Sequence, residues 1–144
     1  MANKVPILVV DDDEGDVFFL RRAFKMAGLD HWIIHVLDGE QALDYLRGRN
    51  NFTDRSYYPL PSLILLDVKM PKRDGFDVLQ LLTRDELEAL TVVMFSSAFH
   101  QEDIEKAKAL GAKDYLRKPA GAEGFYQAVQ TIASRWLTEP GKNY

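Results

Sequence analysis

Four consecutive apolar residues, Leu63-Ile64-Leu65-Leu66, run directly into Asp67, with Pro71 and Asp74-Gly75 a few positions on. A short apolar run bounded by turn residues reads as a strand buried on both faces. Strands of that kind belong to parallel sheets, and ligands bind beyond their carboxyl ends. Asp67 stands at such an end, where a side chain leaves the core and meets solvent.

The rest of the chain repeats that pattern. Val5 to Val10 reads as a strand, with Pro6 at its start, where a missing N–H is tolerable. The acids Asp11-Asp12-Asp13-Glu14-Gly15-Asp16 follow, and several of them suit the N-terminus of a helix. That helix carries Val17, Leu20, Ala23, Phe24 and Ala27 at helical spacing and stops at Gly28. Trp32 to Leu37 is a second strand, after which Asp38 caps a helix bearing Ala42, Leu43, Tyr45 and Leu46. A polar stretch from about Gly48 to Pro61 is long for a connection in a compact α/β domain.

Beyond Asp67, Asp74-Gly75 opens a helix through Phe76, Leu79 and Leu82. Thr91 to Phe95 is a buried strand ending at Ser96-Ser97, and Ile104, Ala107 and Leu110 mark a fourth helix. Lys113 to Arg117 is the last strand, ending at Lys118-Pro119, and Phe125, Val129, Ile132 and Trp136 line a final helix. Residues 138–144 carry Pro140-Gly141 and are expected to fray. The expected fold is therefore α/β: a doubly wound five-stranded parallel sheet with five helices, as one domain over residues 1–144.

Composition narrows the function classes. The net charge is −4 with Lys and Arg scattered, so no basic stripe tracks phosphates and nucleic acid is not an expected partner. The absence of cysteine excludes disulfides and thiol ligands. No apolar run approaches a membrane span and no signal-peptide core is evident, so a cytoplasmic protein is expected.

The telling residues gather at strand ends. The first strand supplies Asp11 and Asp12, the third Asp67, the fourth Ser96 and the fifth Lys118. In a parallel sheet these ends share one edge. Carboxylates 4 Å apart repel by about 4 kcal/mol per pair at an effective dielectric of 20, so a cation must compensate. Oxygen ligands without His or Cys point to Mg²⁺, which takes one or two carboxylates plus waters and phosphate oxygens. With Lys118 and the Ser96 hydroxyl added, the edge suits a phosphoryl group, with Asp67 as nucleophile.

Asp11-Asp12, Asp67 with Met70-Pro71 and Asp74-Gly75, Ser96-Ser97 and Lys118-Pro119 together resemble the receiver domain of two-component response regulators. The resemblance covers nearly the whole chain and implies the flavodoxin-like receiver fold. It implies that Asp67 accepts phosphate from a phosphohistidine on a sensor histidine kinase or phosphotransfer protein. It makes Asp12, Asp67 and the main-chain carbonyl of Lys69 direct Mg²⁺ ligands, with Asp11 acting through water. Ser96 and Tyr115 become a switch pair, the hydroxyl moving to the phosphate and the ring following inward. A cis bond before Pro119 would aim Lys118. The long segment before Pro61 narrows the resemblance to single-domain regulators that partner bacterial phytochromes. These tend to form homodimers through the fourth helix, last strand and last helix.

Two residues depart from the family pattern. Lys69 stands where the family more often has Asn or a short polar residue, a place from which a cation bears on the lifetime of the phosphoprotein. Ser96 replaces the commoner Thr, losing the methyl that stiffens the rotamer. Phe18, among Arg21, Arg22 and Lys25, is an apolar residue on the charged face of the first helix and a candidate kinase contact. His31 and His35 have the spacing of a zinc pair on a helix, but they bracket a strand, so no metal role is expected of them. An alternative is a phosphatase of the haloacid dehalogenase type, which needs a general acid two residues past the nucleophile, where Lys69 stands. Another is a receiver-like interaction module without the chemistry. On the favoured reading the chain is a switch acting chemically only on itself, rather than an enzyme.

Overall fold

In a computed structural model, which describes residues 5–137, every strand runs parallel to its neighbours. The strands are β1 (Ile7–Val10), β2 (Ile33–Val36), β3 (Leu63–Leu66), β4 (Val92–Ser96) and β5 (Asp114–Arg117), in the order β2-β1-β3-β4-β5. The helices are α1 (Glu14–Met26), α2 (Gly39–Arg47), α3 (Gly75–Leu81), α4 (Arg84–Ala89), α5 (Gln101–Ala109) and α6 (Gly121–Ile132). The fraying expected of the tail lies outside the described residues. None of the described helices is long and apolar enough to cross a membrane.

Alternation along the strands divides the core. Leu8, Val10, Ile64, Leu66, Val92 and Met94 face α2, α3 and α5, where Ala42, Leu43, Leu79 and Ala107 close over them. Ile7, Val9, Leu63, Leu65, Val93 and Phe95 face α1 and α6, against Leu20, Phe24, Phe125 and Val129. Because both faces are covered, the central strands read as unbroken apolar runs rather than alternating ones. β1 registers Val10 opposite Leu66 of β3, so their carboxyl ends are level where the strand order reverses. That crevice is where an open α/β sheet binds its ligands.

Six helices form where five were expected. Leu82 takes an extended conformation, and Thr83 starts α4 with a capping box in which Thr83 and Glu86 each satisfy the other's backbone N–H. Arg47 at the end of α2 fixes the break, donating to the Leu81 carbonyl at 2.6 Å and pairing with Glu86 at 3.2 Å. The final helix passes into a π-helical turn over Ala133–Leu137. There the Trp136 indole and Arg135 both donate to the Asp114 carboxylate, at 2.9 and 3.1 Å.

The long segment after α2 is packed. A 3₁₀ turn over Asn50–Phe52 brings Phe52 and Tyr58 onto the ring of Tyr45. Arg55 then donates to the carbonyls of Tyr45, Leu46 and Tyr58 at 2.7, 2.8 and 2.9 Å. Two of those carbonyls belong to the last turn of α2, where a helix runs short of partners of its own, and that of Tyr45 also takes the Gly48 N–H at 3.2 Å. Tyr45 donates its hydroxyl to Pro59 at 2.7 Å, and burial pushes that phenol up to about 12.

Candidate functional site

At the end of β1 the chain turns sharply into α1. Asp11 is buried and bonds the Val36 carbonyl of β2 through its N–H, while its Oδ1 accepts from the Asp13 N–H at 2.9 Å. His35 Nε2 donates to the Asp11 carbonyl oxygen at 2.6 Å, holding the turn from β2. Asp12 is exposed, and Asp13 caps α1 through the N–H of Asp16 at 3.0 Å.

Asp67 is buried at the end of β3, with its N–H on Val10 and its Oδ1 accepting from Val68 N–H at 2.7 Å. The loop after it folds back closely: a Cβ on Gly75 would lie 2.3 Å from the Asp67 carbonyl oxygen. Only glycine permits that approach, which sets the start of α3 against the strand end. The same loop is tied to α2, where the Arg73 carbonyl accepts from Gly39 and its guanidinium pairs with Glu40 at 2.8 Å.

Lys118 reaches this edge from β5. Its backbone N–H bonds the Ser96 carbonyl at 2.9 Å, so the end of β4 places it. The Nζ lies 2.7 Å from Asp11 Oδ2, 2.7 Å from Asp67 Oδ2 and 2.9 Å from Asp16 Oδ2, with the side chain only 7% exposed. The expected cis bond before Pro119 is not formed: no peptide bond among the described residues is cis. Lys118 is aimed instead by its backbone bond to β4, and the chain turns into α6 at Gly121, whose φ is +80°.

Asp11, Asp12 and Asp67 each present one carboxylate oxygen, all within 4.8 Å of one another. The donors are oxygens alone, as a small hard dication requires, so the residues present fit a magnesium ion. Burial pushes the Asp11 carboxyl up, to about 6, against the Lys118 and Asp13 hydrogen bonds that favour its charge. Burial works to lower Lys118, but its hydrogen bonds to Asp11, Asp67 and Asp16 outweigh that and hold the ammonium above the usual lysine range. The pocket thus holds acids gathered around one cation, with carboxylate oxygens that converge closely enough to share a second.

Ser96 is buried, its Oγ accepting from the Ala98 N–H at 3.2 Å. Tyr115 donates its hydroxyl to the Ala98 carbonyl and sets its ring edge-on to Phe99, with centroids 5.6 Å apart. The ring is therefore already inward, and burial pushes its phenol up to about 12. One residue, Ala98, connects the Ser96 hydroxyl to the Tyr115 ring.

The structure brings Asp11, Asp12, Asp67 and Lys118 together as expected, with Ser96 beside Lys118 at the end of β4. The Lys69 side chain is exposed and, among the described residues, makes no ion pair. Asp16, which nothing in the sequence separates from the other acids at the start of α1, joins the site through its carboxylate, 2.9 Å from Lys118 Nζ. Phe18 is 61% exposed, propped edge-on against Phe19.

A family model described as response regulator receiver domain matches residues 7–130. The chain is 34% identical over 132 residues, 91% of its length and 83% of the other's, to the probable methanogenesis regulatory protein FilR2 of Methanothrix harundinacea. It is 30% identical to the response regulator Rcp1 of Synechocystis, over 91% of this chain and 88% of that one. Its fold superposes on the Mn²⁺-bound form of Rcp1 with a TM-score of 0.81, covering 99% and 100% of the two chains. It superposes on the phosphorylated cyanobacterial phytochrome response regulator RcpA with a TM-score of 0.84, at 28% identity and covering 94% and 96%.

Proposed function

The chain belongs to the response regulator receiver domain family, and we propose that it is a Mg²⁺-dependent phosphoryl acceptor that signals by changing its own surface. The observation that carries this reading is the ammonium of Lys118, bonded at 2.7 Å to both Asp67 and Asp11 in a buried pocket that converges on one strand edge. An Asp67 oxygen attacks phosphorus in line with the phosphorus–nitrogen bond of a phosphohistidine on a sensor kinase or phosphotransfer protein. The new oxygen–phosphorus bond forms as the old one breaks, and the leaving imidazole takes the electron pair and a proton. In this reading Lys118 neutralises a phosphoryl oxygen, and the Ser96 hydroxyl donates to another.

Asp12, Asp67 and the Lys69 main-chain carbonyl would hold the magnesium ion directly, with Asp11 through water. Bound there, the ion would neutralise charge on the phosphoryl oxygens. The Asp11, Asp12 and Asp67 cluster supports this, as does the Mn²⁺-bound form of Rcp1. When Ser96 turns to the phosphoryl group, the Ala98 N–H loses its acceptor. The loop that also holds Tyr115 then moves, carrying the signal to α5 and β5.

The phytochrome connection of RcpA supports a phytochrome-type kinase as donor, with Phe18 as a contact. The output we propose is a homodimer through α5, β5 and α6, in the cytoplasm and without nucleic acid. Chemistry is confined to the chain's own phosphorylation and dephosphorylation, over one receiver domain spanning residues 1–144. Incubation with acetyl phosphate and Mg²⁺, read by intact mass, tests this. An adduct on the wild type that disappears in Asp67→Asn supports the reading, and equal labelling of both would show that another residue is the acceptor.

A further inference from the structure

Lys118 has three N–H donors and three carboxylate partners, Asp11, Asp67 and Asp16. Two of those partners have a second task. Asp11 and Asp67 belong, with Asp12, to the group of acids that converge closely enough to share a cation, and Asp16 does not. We propose that Asp16 is a positioning residue: it anchors the Lys118 ammonium when a divalent cation and a phosphoryl group draw Asp11 and Asp67 away. The inference rests on the cation and phosphoryl reading of the pocket given above.

The electrostatics motivate it. An ammonium and a dication drawn to the same two carboxylates repel each other, and that repulsion is strong in a pocket from which water is largely excluded. A third carboxylate touching only the ammonium offsets the repulsion and keeps the lysine from being expelled. Asp16 is built for this place. It sits in the first turn of α1, where a negative charge is favoured by the helix N-terminus, and its N–H is fixed by the Asp13 cap. Its carboxylate is partly exposed, at 28%, so it stands at the mouth of the pocket while Asp11 and Asp67 form the floor. When Asp67 carries the phosphoryl group, the N–H that now points at Asp67 is free for a phosphoryl oxygen, while Asp16 still fixes the nitrogen.

The test is a cycle of Asp16→Asn and Lys118→Met on the full chain, with Asp16→Glu as the conservative variant. Mg²⁺ binding by calorimetry is the first readout and acetyl phosphate labelling at saturating Mg²⁺ the second. Asp16→Asn is expected to weaken Mg²⁺ binding about three- to fivefold when Lys118 is present, the upper part of the range that a partly exposed charge pair gives. In the Lys118→Met background the same change should weaken it by under about twofold, because the repulsion it relieves is gone. Labelling should slow several-fold in Asp16→Asn, and Asp16→Glu should recover most of both effects. Equal weakening in the two backgrounds would make Asp16 a general negative charge and overturn the proposal, as would no weakening at all. Failure of the wild type itself to bind Mg²⁺ or take label would instead overturn the reading of the pocket, and the role of Asp16 with it.

Discussion

Replacing Lys118 by Met tests how the acidic pocket is held together before any phosphorus arrives. Methionine keeps most of the side-chain volume and removes the charge, leaving Asp11 and Asp67, 4% and 7% exposed, facing each other and Asp16. Removing one member of a buried ion pair costs about 3–5 kcal/mol, because the partner charge stays buried. A second route gives the same size. The pocket can relieve itself by taking up a proton, and neutralising an ordinary carboxyl near pH 7 costs about 4 kcal/mol, at 1.36 kcal/mol per pH unit above its usual value. Urea unfolding in EDTA should therefore show a midpoint lower by about 2 M, given slopes of 1–3 kcal/mol per molar for domains of this size. Saturating Mg²⁺ should then recover more stability in the variant than in the wild type, since the cation enters acids that no ammonium occupies. A loss below about 1 kcal/mol in EDTA, or equal Mg²⁺ stabilisation of both proteins, would refute the reasoning.

Other perturbations follow from the same geometry. Arg55→Met takes the guanidinium from three carbonyls, of which, among the described residues, only that of Tyr45 keeps another partner, the Gly48 N–H, and should lower stability by about 2 kcal/mol, with hydrogen exchange rising first in the last turn of α2. Gly75→Ala forces a methyl to within 2.3 Å of the Asp67 carbonyl; it should destabilise by about 2 kcal/mol or more and slow acetyl phosphate labelling, as urea melts and mass spectra would show. Burial alone would raise the Asp114 carboxyl, but hydrogen bonds from Trp136, the Tyr115 N–H and Arg135 hold it below the usual range. A depressed folded-state value stabilises above the unfolded one, so the gap in stability between wild type and Asp114→Asn should be flat above about pH 5 and close as acid protonates Asp114.

The fold was legible because the strands are short apolar runs and each ends in a residue of distinctive chemistry. Asp11, Asp67, Ser96 and Lys118 could be aligned on one edge from parallel order alone. The break between α3 and α4 was also written, in Thr83 and Glu86 three residues apart, but the apolar spacing through Leu82 concealed it. The packing of residues 48–61 was not legible, because it depends on Arg55 turning back to carbonyls of the preceding helix, a contact no periodicity records. Asp16 and His35 escaped for a related reason. A run of acids at a helix start has an ordinary electrostatic explanation, and a strand histidine has one in the core. Only the folded chain shows the Asp16 carboxylate of α1 on the Lys118 ammonium beyond β5, and only the pairing of β2 with β1 sets the His35 ring on the Asp11 carbonyl. Tyr115 was placed by kinship, and its inward ring is fixed by Ala98 and Phe99 in the neighbouring loop.

Locating the acyl phosphate chemically tests the phosphoryl-acceptor reading most directly. After incubation with acetyl phosphate and Mg²⁺, borohydride reduction converts a phosphorylated aspartate to homoserine, which peptide sequencing by mass spectrometry places in the chain. Conversion at position 67, absent when EDTA replaces Mg²⁺, is the expected result. Conversion at Asp11 or Asp12, or none anywhere in a folded sample, would contradict it.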